Sequence, residues 1–138
     1  MEHGEILYHA EIKLNPKSKK NNEEIVYKVV VKNGVRKKVP CIIQGEKYRQ
    51  YETQCGWFLT RRPRTPISEP VNIREVFYRE DERRCDLSNM IAAIDDILVK
   101  YGIIVDDNWK VVRGHDGSTV YVDKKNPRVE IYVERWQE

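Results

Sequence analysis

A regular pattern of apolar positions between residues 87 and 101 predicts an amphipathic helix. The apolar side chains step by three and four residues, which is the period of one helical face: Leu87, Met90, Ile91, Ile94, Ile97, Leu98 and Tyr101. The remaining surface carries small, polar and charged side chains: Asn89, Ala92, Ala93, Asp95, Asp96 and Lys100. Gly102 follows where a left-handed residue commonly ends a helix.

Looser alternation predicts strands on both sides of this helix. Residues 5–14 and 71–79 are interpreted as strands, as are WKVVRG and RVEIYVERW after Asp107. IVYKVVVK and VRKKVPCII flank Asn33-Gly34, the strongest short-range signal for a hairpin, and Pro40 makes its second arm an edge strand or ends its pairing. The segment HDGSTVYVDKKNP, between the last two strands, is interpreted as rich in turns.

The pattern of residues 45–60 predicts a second helix. Gly56 counts against it, because glycine in a helix costs about 1 kcal/mol of helix stability relative to alanine. RRPRTPISEP, with three prolines, is interpreted as an irregular basic linker. The pattern therefore predicts an α+β fold with a single mixed or antiparallel sheet and two main helices packed on it. At 138 residues, the chain is expected to form one domain over residues 1–138.

Composition adds a heavily charged surface, with 34% Asp, Glu, Lys and Arg. No apolar run is long enough to span a bilayer, so we expect no contact with a membrane. Cys41, Cys55 and Cys85 form neither a zinc pattern nor a disulfide framework, which favours a reducing cytoplasm.

The charge is unevenly distributed along the chain. Residues 13–64 hold 14 Lys and Arg against 4 Glu, whereas the rest holds 11 Lys and Arg against 18 Asp and Glu. Three basic clusters in irregular or edge positions favour a track for backbone phosphates over a merely solvated surface: Lys13, Lys17, Lys19 and Lys20; Arg36, Lys37 and Lys38; and Arg61, Arg62 and Arg64.

Acidic residues flank the central helix. Asp86 precedes it and Asp106-Asp107 follows its exit. They are interpreted either as a helix cap and turn residues or as ligands of a hard cation, because adjacent like charges are costly unless a cation joins them. His115 lies in a His-Asp-Gly turn, for which turn chemistry is the first interpretation and a supporting catalytic role the second.

The stretch RRCDLSNMIAAIDDILVKYGIIVDD, residues 83–107, resembles the core of the RusA family of Holliday-junction resolvases. LNPKSKKNN resembles the family's basic N-terminal loop, KYRQY the start of its first helix, and RVEIYVERW its last strand. The resemblance implies that Asp86 and Asp107 are catalytic aspartates that bind metal, with Asn89 supporting them at the start of the helix.

Two positions depart from the family pattern. Ser88 stands where the best-known members have a second aspartate, and Ala92 where they have a lysine. Since serine is a poor ligand for Mg²⁺, the chain recruits another acid, binds metal through water, or has reduced activity. The candidate substitutes are Asp106, Asp95 and Asp96.

A distance argument limits how these acids can meet. A helix from Ser88 to Tyr101 is about 20 Å long, and six extended residues return about the same distance. Asp86 and Asp107 therefore meet only if the chain doubles back along the helix or the helix is shorter. Otherwise Asp95 or Asp96 stands between them, or the partner acid comes from a second subunit.

The expected function is a Mg²⁺-dependent endodeoxyribonuclease, with Mn²⁺ as a possible substitute, that resolves four-way DNA junctions by paired cuts in recombination or repair. Arg83 or Arg84 would neutralise the scissile phosphate. Two symmetric cuts require two active sites, so a homodimer is expected. The alternatives are a module that binds junctions with weak or lost cleavage, which Ser88 and Ala92 favour, and a general nuclease without junction preference.

Overall fold

The computed structural model describes residues 3–19 and 23–138. Nine elements follow one another in these ranges: β1 (Ile6–Ile12), β2 (Glu23–Lys32), β3 (Val35–Gln44), α1 (Glu46–Phe58), β4 (Val71–Arg79), α2 (Leu87–Lys100), β5 (Val112–Gly114), β6 (Thr119–Val122) and β7 (Arg128–Arg135). The predicted α+β class, a mixed sheet with two helices, is confirmed. None of the described helices is both long and apolar enough to cross a membrane.

The main sheet has five strands, with β4 at its centre. The order is β1-β7-β4-β5, and β6 also pairs with β4. β7 lies antiparallel to β1 and β4, whereas β5 and β6 lie parallel to β4. Val71, Ile73 and Phe77 alternate along β4 and are fully buried, so this strand joins the sheet to the core beneath it.

β6 lies within the segment that the sequence interpretation described as rich in turns, and a strand over residues 119–122 was not predicted. The strand has four residues, and turn signals border it at Gly117 and Asp123. Its partner β4 lies about forty residues earlier in the chain, with Val76 opposite Thr119. A strand this short is specified by that distant partner rather than by its own pattern.

The predicted hairpin forms around Asn33-Gly34, whose φ angles of 55° and 76° suit the turn that Asn-Gly favours. Pairing continues past Pro40, which lies opposite Tyr27, so the proline does not end the strand. Within the described ranges β2 and β3 pair only with each other. They form a separate two-stranded sheet in which both strands are edges.

The two helices pack with the sheet around one core. α1 buries Tyr48, Tyr51 and Cys55, as its apolar stripe predicted. α2 buries its predicted apolar face, but Ala93 and Asp95 are also buried, at 1% and 5% exposed. The prediction that both lie on the outer surface of this helix was therefore wrong.

Candidate metal and nucleic-acid site

Asp86 occupies the N-cap of α2 without using its side chain as a cap. Its backbone carbonyl accepts hydrogen bonds from the amides of Asn89 and Met90. Among the described residues, the hydrogen bond that its carboxylate Oδ2 accepts is a long one, 3.2 Å, from Nδ2 of Asn89. The capping interpretation therefore does not account for this carboxylate, which is exposed at the positive end of the helix dipole.

The Asp86 carboxylate borders an open cavity of about 450 Å³. One wall is the loop after β1, and the other is the connection between β4 and α2. Two further acids, Glu80 and Asp81, line the cavity as well, and four cationic residues share the lining: Lys17, Arg79, Arg83 and Arg84. Such a surface can hold an anion beside the carboxylate.

Hydrogen bonds fix the two walls of this cavity. Asn15 Oδ1 accepts the amide of Glu80 at 2.9 Å and so joins the basic loop to the end of β4. Asp81 Oδ1 accepts the amide of Arg83 at 3.0 Å, and the Arg79 guanidinium donates to the carbonyl of Arg83. The Arg83 side chain is 87% exposed, and its Nε lies 3.8 Å from Oδ2 of Asp81.

A second acidic group lies near the far end of α2. Partial burial, followed by the neighbouring carboxylates of Asp106 and Asp96, raises the pKa of Asp107 above its ordinary value. Asp96 also forms an ion pair of 2.7 Å with Lys19. The chain therefore doubles back far enough to place Asp107 beside Asp96.

Asp106 is engaged in the local turn. Its carboxylate accepts Nδ2 of Asn108 at 2.9 Å and the amide of Asp107 at 2.7 Å. These hydrogen bonds, the one from Asn108 first, lower the pKa of Asp106. The turn interpretation thus describes Asp106 better than it describes Asp107.

Asp86 and the Asp96–Asp107 pair lie at two ends of one face of α2. Asp96 follows Asp86 by ten residues, a rise of about 15 Å along a helix. Asn89 and Ala92 lie between them on the same face, and we refer to Asn89, Ala92 and Asp96 as the polar stripe. Ser88 is exposed on the first turn. The structure thus brings Asp107 beside Asp96 and leaves Asp86 at the other end of the helix.

The other predicted cations differ in how free their side chains are. Exposed positions are held by Lys13, Arg61, Arg64, Arg83 and Arg84, whereas Lys17 and Lys19 are half-buried. Arg62 donates to the carbonyls of Leu59 and Gly56 at 2.8 and 3.0 Å, so it satisfies the end of α1. Lys20 lies outside the described residues.

A third polar group lies between the sheet and α2; the sequence interpretation named Asp95 and His115 as candidates but missed Glu75. Glu75, Asp95 and His115 each offer one ligand atom, and these atoms lie within 4.8 Å of one another. His115 Nε2 lies 2.7 Å from Asp95 Oδ2. Burial, and then Asp95, raises the pKa of Glu75 well above its ordinary value. A signal was present, because Glu75 interrupts the apolar alternation of Ile73 and Phe77.

Carboxylates able to hold a divalent cation, beside arginines and lysines able to hold phosphate, are the components of a phosphodiester-cleaving site. The sequence model of the family described as Endodeoxyribonuclease RusA matches residues 15–134. The chain belongs to this family, as the residues around α2 predicted. The match includes the basic loop, α2 and the acids after it. No curated protein gives a significant match.

Proposed function

We propose that the protein is a Mg²⁺-dependent endodeoxyribonuclease that resolves four-way DNA junctions by paired strand cuts. The observation that carries the proposal is the carboxylate of Asp86, which is not used as a cap and faces a basic cavity within the part of the chain matched to the RusA family. A purely structural acid at this position would bond to the first amides of the helix.

We assign the metal ligands to Asp86 and Asp107, with Asp96 replacing the acid that is absent at Ser88. Carboxylate oxygens are the donors that Mg²⁺ prefers. Partial burial, and then the carboxylates of Asp106 and Asp96, raise the pKa of Asp107, and a divalent cation would offset the repulsion among these acids. Bound Mg²⁺ would supply a more acidic water and charge neutralisation at the phosphate.

The cationic side chains would bind and orient the DNA backbone. Arg83 and Arg84 lie in the same cavity as Asp86 and are suited to the scissile phosphate, because a guanidinium can contact two phosphate oxygens. Lys17 and Lys19 follow the polar stripe and would hold neighbouring phosphates. Contacts of this type position DNA without reading its sequence, which suits recognition of a junction by shape.

A homodimer accounts for the separation of the acids. Within one chain about 15 Å of helix separates Asp86 from the Asp96–Asp107 pair, too far for one ion. A second copy related by two-fold symmetry would bring Asp86 of one subunit to Asp107 of the other, and would give two sites for two cuts. We refer to this arrangement as the shared site.

The hairpin of β2 and β3 supports the homodimer. Its apolar side chains are at least 60% exposed at Ile25, Tyr27, Val29 and Val31. An isolated two-stranded hairpin is only marginally stable in water, and two edge strands with apolar side chains invite pairing with another chain. We therefore propose that a second copy covers this hairpin.

The second candidate is a module that binds junctions but no longer cuts them. Ser88 and Ala92 favour it, because they remove a carboxylate and a lysine that the best-known members of the family have. It differs from the first proposal in chemistry rather than in fold. A cleavage assay therefore separates the two.

The test is cleavage of a labelled four-way junction in Mg²⁺ by the wild type and by Asp86→Asn. We expect Asp86→Asn to bind the junction normally and to cut more than about 100-fold slower, a loss beyond that caused by removing an outer partner of a metal ligand. Asp123→Asn, which changes an acid in a distant loop, is the matched control and should cut at the wild-type rate.

Wild-type protein that binds the junction without cutting it would establish the second candidate instead. Equal cutting of linear duplex and junction would show a general nuclease. Full activity in Asp86→Asn would remove this carboxylate from the mechanism.

A further inference from the structure

We propose that Glu75, Asp95 and His115 bind one divalent transition-metal ion of the Zn²⁺ class, which joins β4, α2 and the loop between β5 and β6. This ion is separate from the Mg²⁺ of the proposed nuclease site. It would serve the fold by fixing the helix that carries the catalytic acids against the central strand.

The three side chains converge from different elements. Glu75 projects from the core face of β4, where its neighbours on that face are Ile73 and Phe77. Asp95 lies on the sheet side of α2, and His115 follows the end of β5. Their ligand atoms lie within 4.8 Å of one another, close enough to contact a single ion after a small adjustment.

Among the described residues, both carboxylate oxygens of Glu75 and one of Asp95 lack the partners that buried carboxylates require, although Oδ2 of Asp95 contacts His115. Glu75 is 0% exposed, and within residues 3–19 and 23–138 neither of its carboxylate oxygens has a hydrogen-bond partner; the same holds for Oδ1 of Asp95. No lysine or arginine of these ranges forms an ion pair with either residue. Buried carboxylates are normally paired, hydrogen-bonded or bound to metal, so the unpartnered oxygens point to a ligand at their centre.

The donor set indicates the class of ion. Imidazole nitrogen suits Zn²⁺ and its neighbours among the transition metals, whereas sites for Mg²⁺ and Ca²⁺ are built from oxygen. One histidine and two carboxylates give three protein ligands, the number found at catalytic zinc sites, and a water would take the fourth position. Two negative charges and a neutral imidazole would balance a divalent cation.

The geometry needs little change to accept the ion. His115 Nε2 and Asp95 Oδ2 are 2.7 Å apart, and two tetrahedral ligands of Zn²⁺, each about 2.0–2.1 Å from it, lie about 3.3 Å from each other. His115 stands in a loop with its side chain 30% exposed. It can therefore move outward by the required fraction of an ångström, and it provides the route from solvent.

The site is distinct from the proposed nuclease acids, although α2 carries both. Asp95 is 5% exposed and faces the sheet, whereas the next residue, Asp96, lies about 100° further around the helix and contacts Lys19. Binding at the buried site can therefore be measured after the nuclease ligands are removed.

The experiment titrates Co²⁺, a spectroscopic substitute for Zn²⁺, into chelator-treated full-length Asp86→Asn/Asp96→Asn/Asp107→Asn protein, which lacks all three proposed nuclease ligands. We expect one Co²⁺ per chain, visible d–d absorption bands typical of a low-coordinate ion, displacement by Zn²⁺, and a rise in the unfolding temperature with ion concentration. In the same background, Glu75→Gln and His115→Asn should each weaken binding more than about 10-fold.

His9→Asn is the matched control, because His9 is exposed and stacks on Tyr132; it should leave the titration unchanged. The absence of Co²⁺ bands from a protein that folds normally would overturn the proposal. The proposal would also be overturned if Glu75→Gln and His115→Asn bound Co²⁺ as tightly as the parent protein. Since the nuclease acids are already replaced, neither result would bear on junction cleavage.

Discussion

At the scale of single residues, burial sets the chemistry of the titratable side chains. Cys55 lies in the core and is 0% exposed, and burial raises the pKa of its thiol to about 12. Only the thiolate is a good nucleophile. Cys55 is therefore structural, whereas Cys85 is half-buried beside Asp86 and lines the basic cavity.

We predict that iodoacetamide at pH 8 modifies Cys85 in the native protein and leaves Cys55 unmodified, because at this pH almost none of the buried thiol is ionised and the reagent cannot reach it. Peptide mass spectrometry after a timed reaction measures both rates. Unfolding in urea should make all three cysteines reactive. Equal rates at Cys55 and Cys85 in the native state would contradict this account.

Single residues also show which parts of the candidate site could be predicted from the sequence. The spacing around α2 was enough to select Asp86 and to recognise the family, because these features are local. Asp95 and Asp96 could not be separated in the same way, since both border the apolar face and only packing decides which of them turns inward. Glu75 was detectable in principle as an acid on the buried face of a strand, but its partners lie twenty and forty residues away.

At the scale of elements, the contact between the two helices depends on Gly56. A Cβ at this position would lie 2.6 Å from the Tyr101 ring, closer than real Cβ contacts allow. The Tyr101 hydroxyl donates to the carbonyl of Glu52 at 3.0 Å, so the ring is held in place. The glycine that weakened the helix prediction is what lets the end of α2 approach α1.

We predict that Gly56→Ala lowers the free energy of unfolding by up to about 2 kcal/mol, because overpacking costs about 1–3 kcal/mol and the gain in helix propensity offsets about 1 kcal/mol of it. Urea denaturation measures the change. Thr53→Ala, at an exposed position of the same helix, should be neutral or stabilising.

In a Tyr101→Leu background the cost of Gly56→Ala should largely disappear, since contacting residues are not additive. A stabilising effect of Gly56→Ala in the wild type would show that the two helices are not in the close contact described.

Other elements were predictable to different degrees. β4, α1, α2 and the hairpin have strong local patterns, and the structure places them within a few residues of the predicted bounds. β6 has four residues and pairs with a strand far away in sequence, so its pattern carried too little information. The pairing of the hairpin with itself alone could not be read from its alternation, because a strand in the main sheet would show the same alternation.

At the scale of the whole molecule, we predict from the exposed apolar side chains of the hairpin that it forms the interface between two subunits. Ile25→Glu/Tyr27→Glu places two charges on one face of the hairpin, where the residues opposite them are Ile42 and Pro40 and offer no cation. Burying these charges in an apolar interface would be costly, so we expect this variant to be a monomer. Light scattering after size exclusion measures the mass of the particle, and circular dichroism checks that the fold is kept.

Val122→Glu is the control, because Val122 is an exposed apolar residue on β6, outside the hairpin; it should not change the oligomeric state. If the wild type is itself a monomer at micromolar concentration, or if the hairpin variant remains a dimer, the hairpin is not the interface.

The central claim is that Asp86 and Asp107 serve one catalytic centre, which two subunits build together. Mixing Asp86→Asn with Asp107→Asn tests it most directly. In a heterodimer with shared sites, one site receives both substitutions and the other receives none. Each variant alone has two damaged sites.

The measurement is cleavage of a labelled four-way junction by heterodimers that carry two different affinity tags and are purified after joint refolding. The account predicts that each variant alone is inactive and that the heterodimer cuts one strand of the junction, at about half of the wild-type number of cuts. A heterodimer as inactive as its two parents would contradict the shared site.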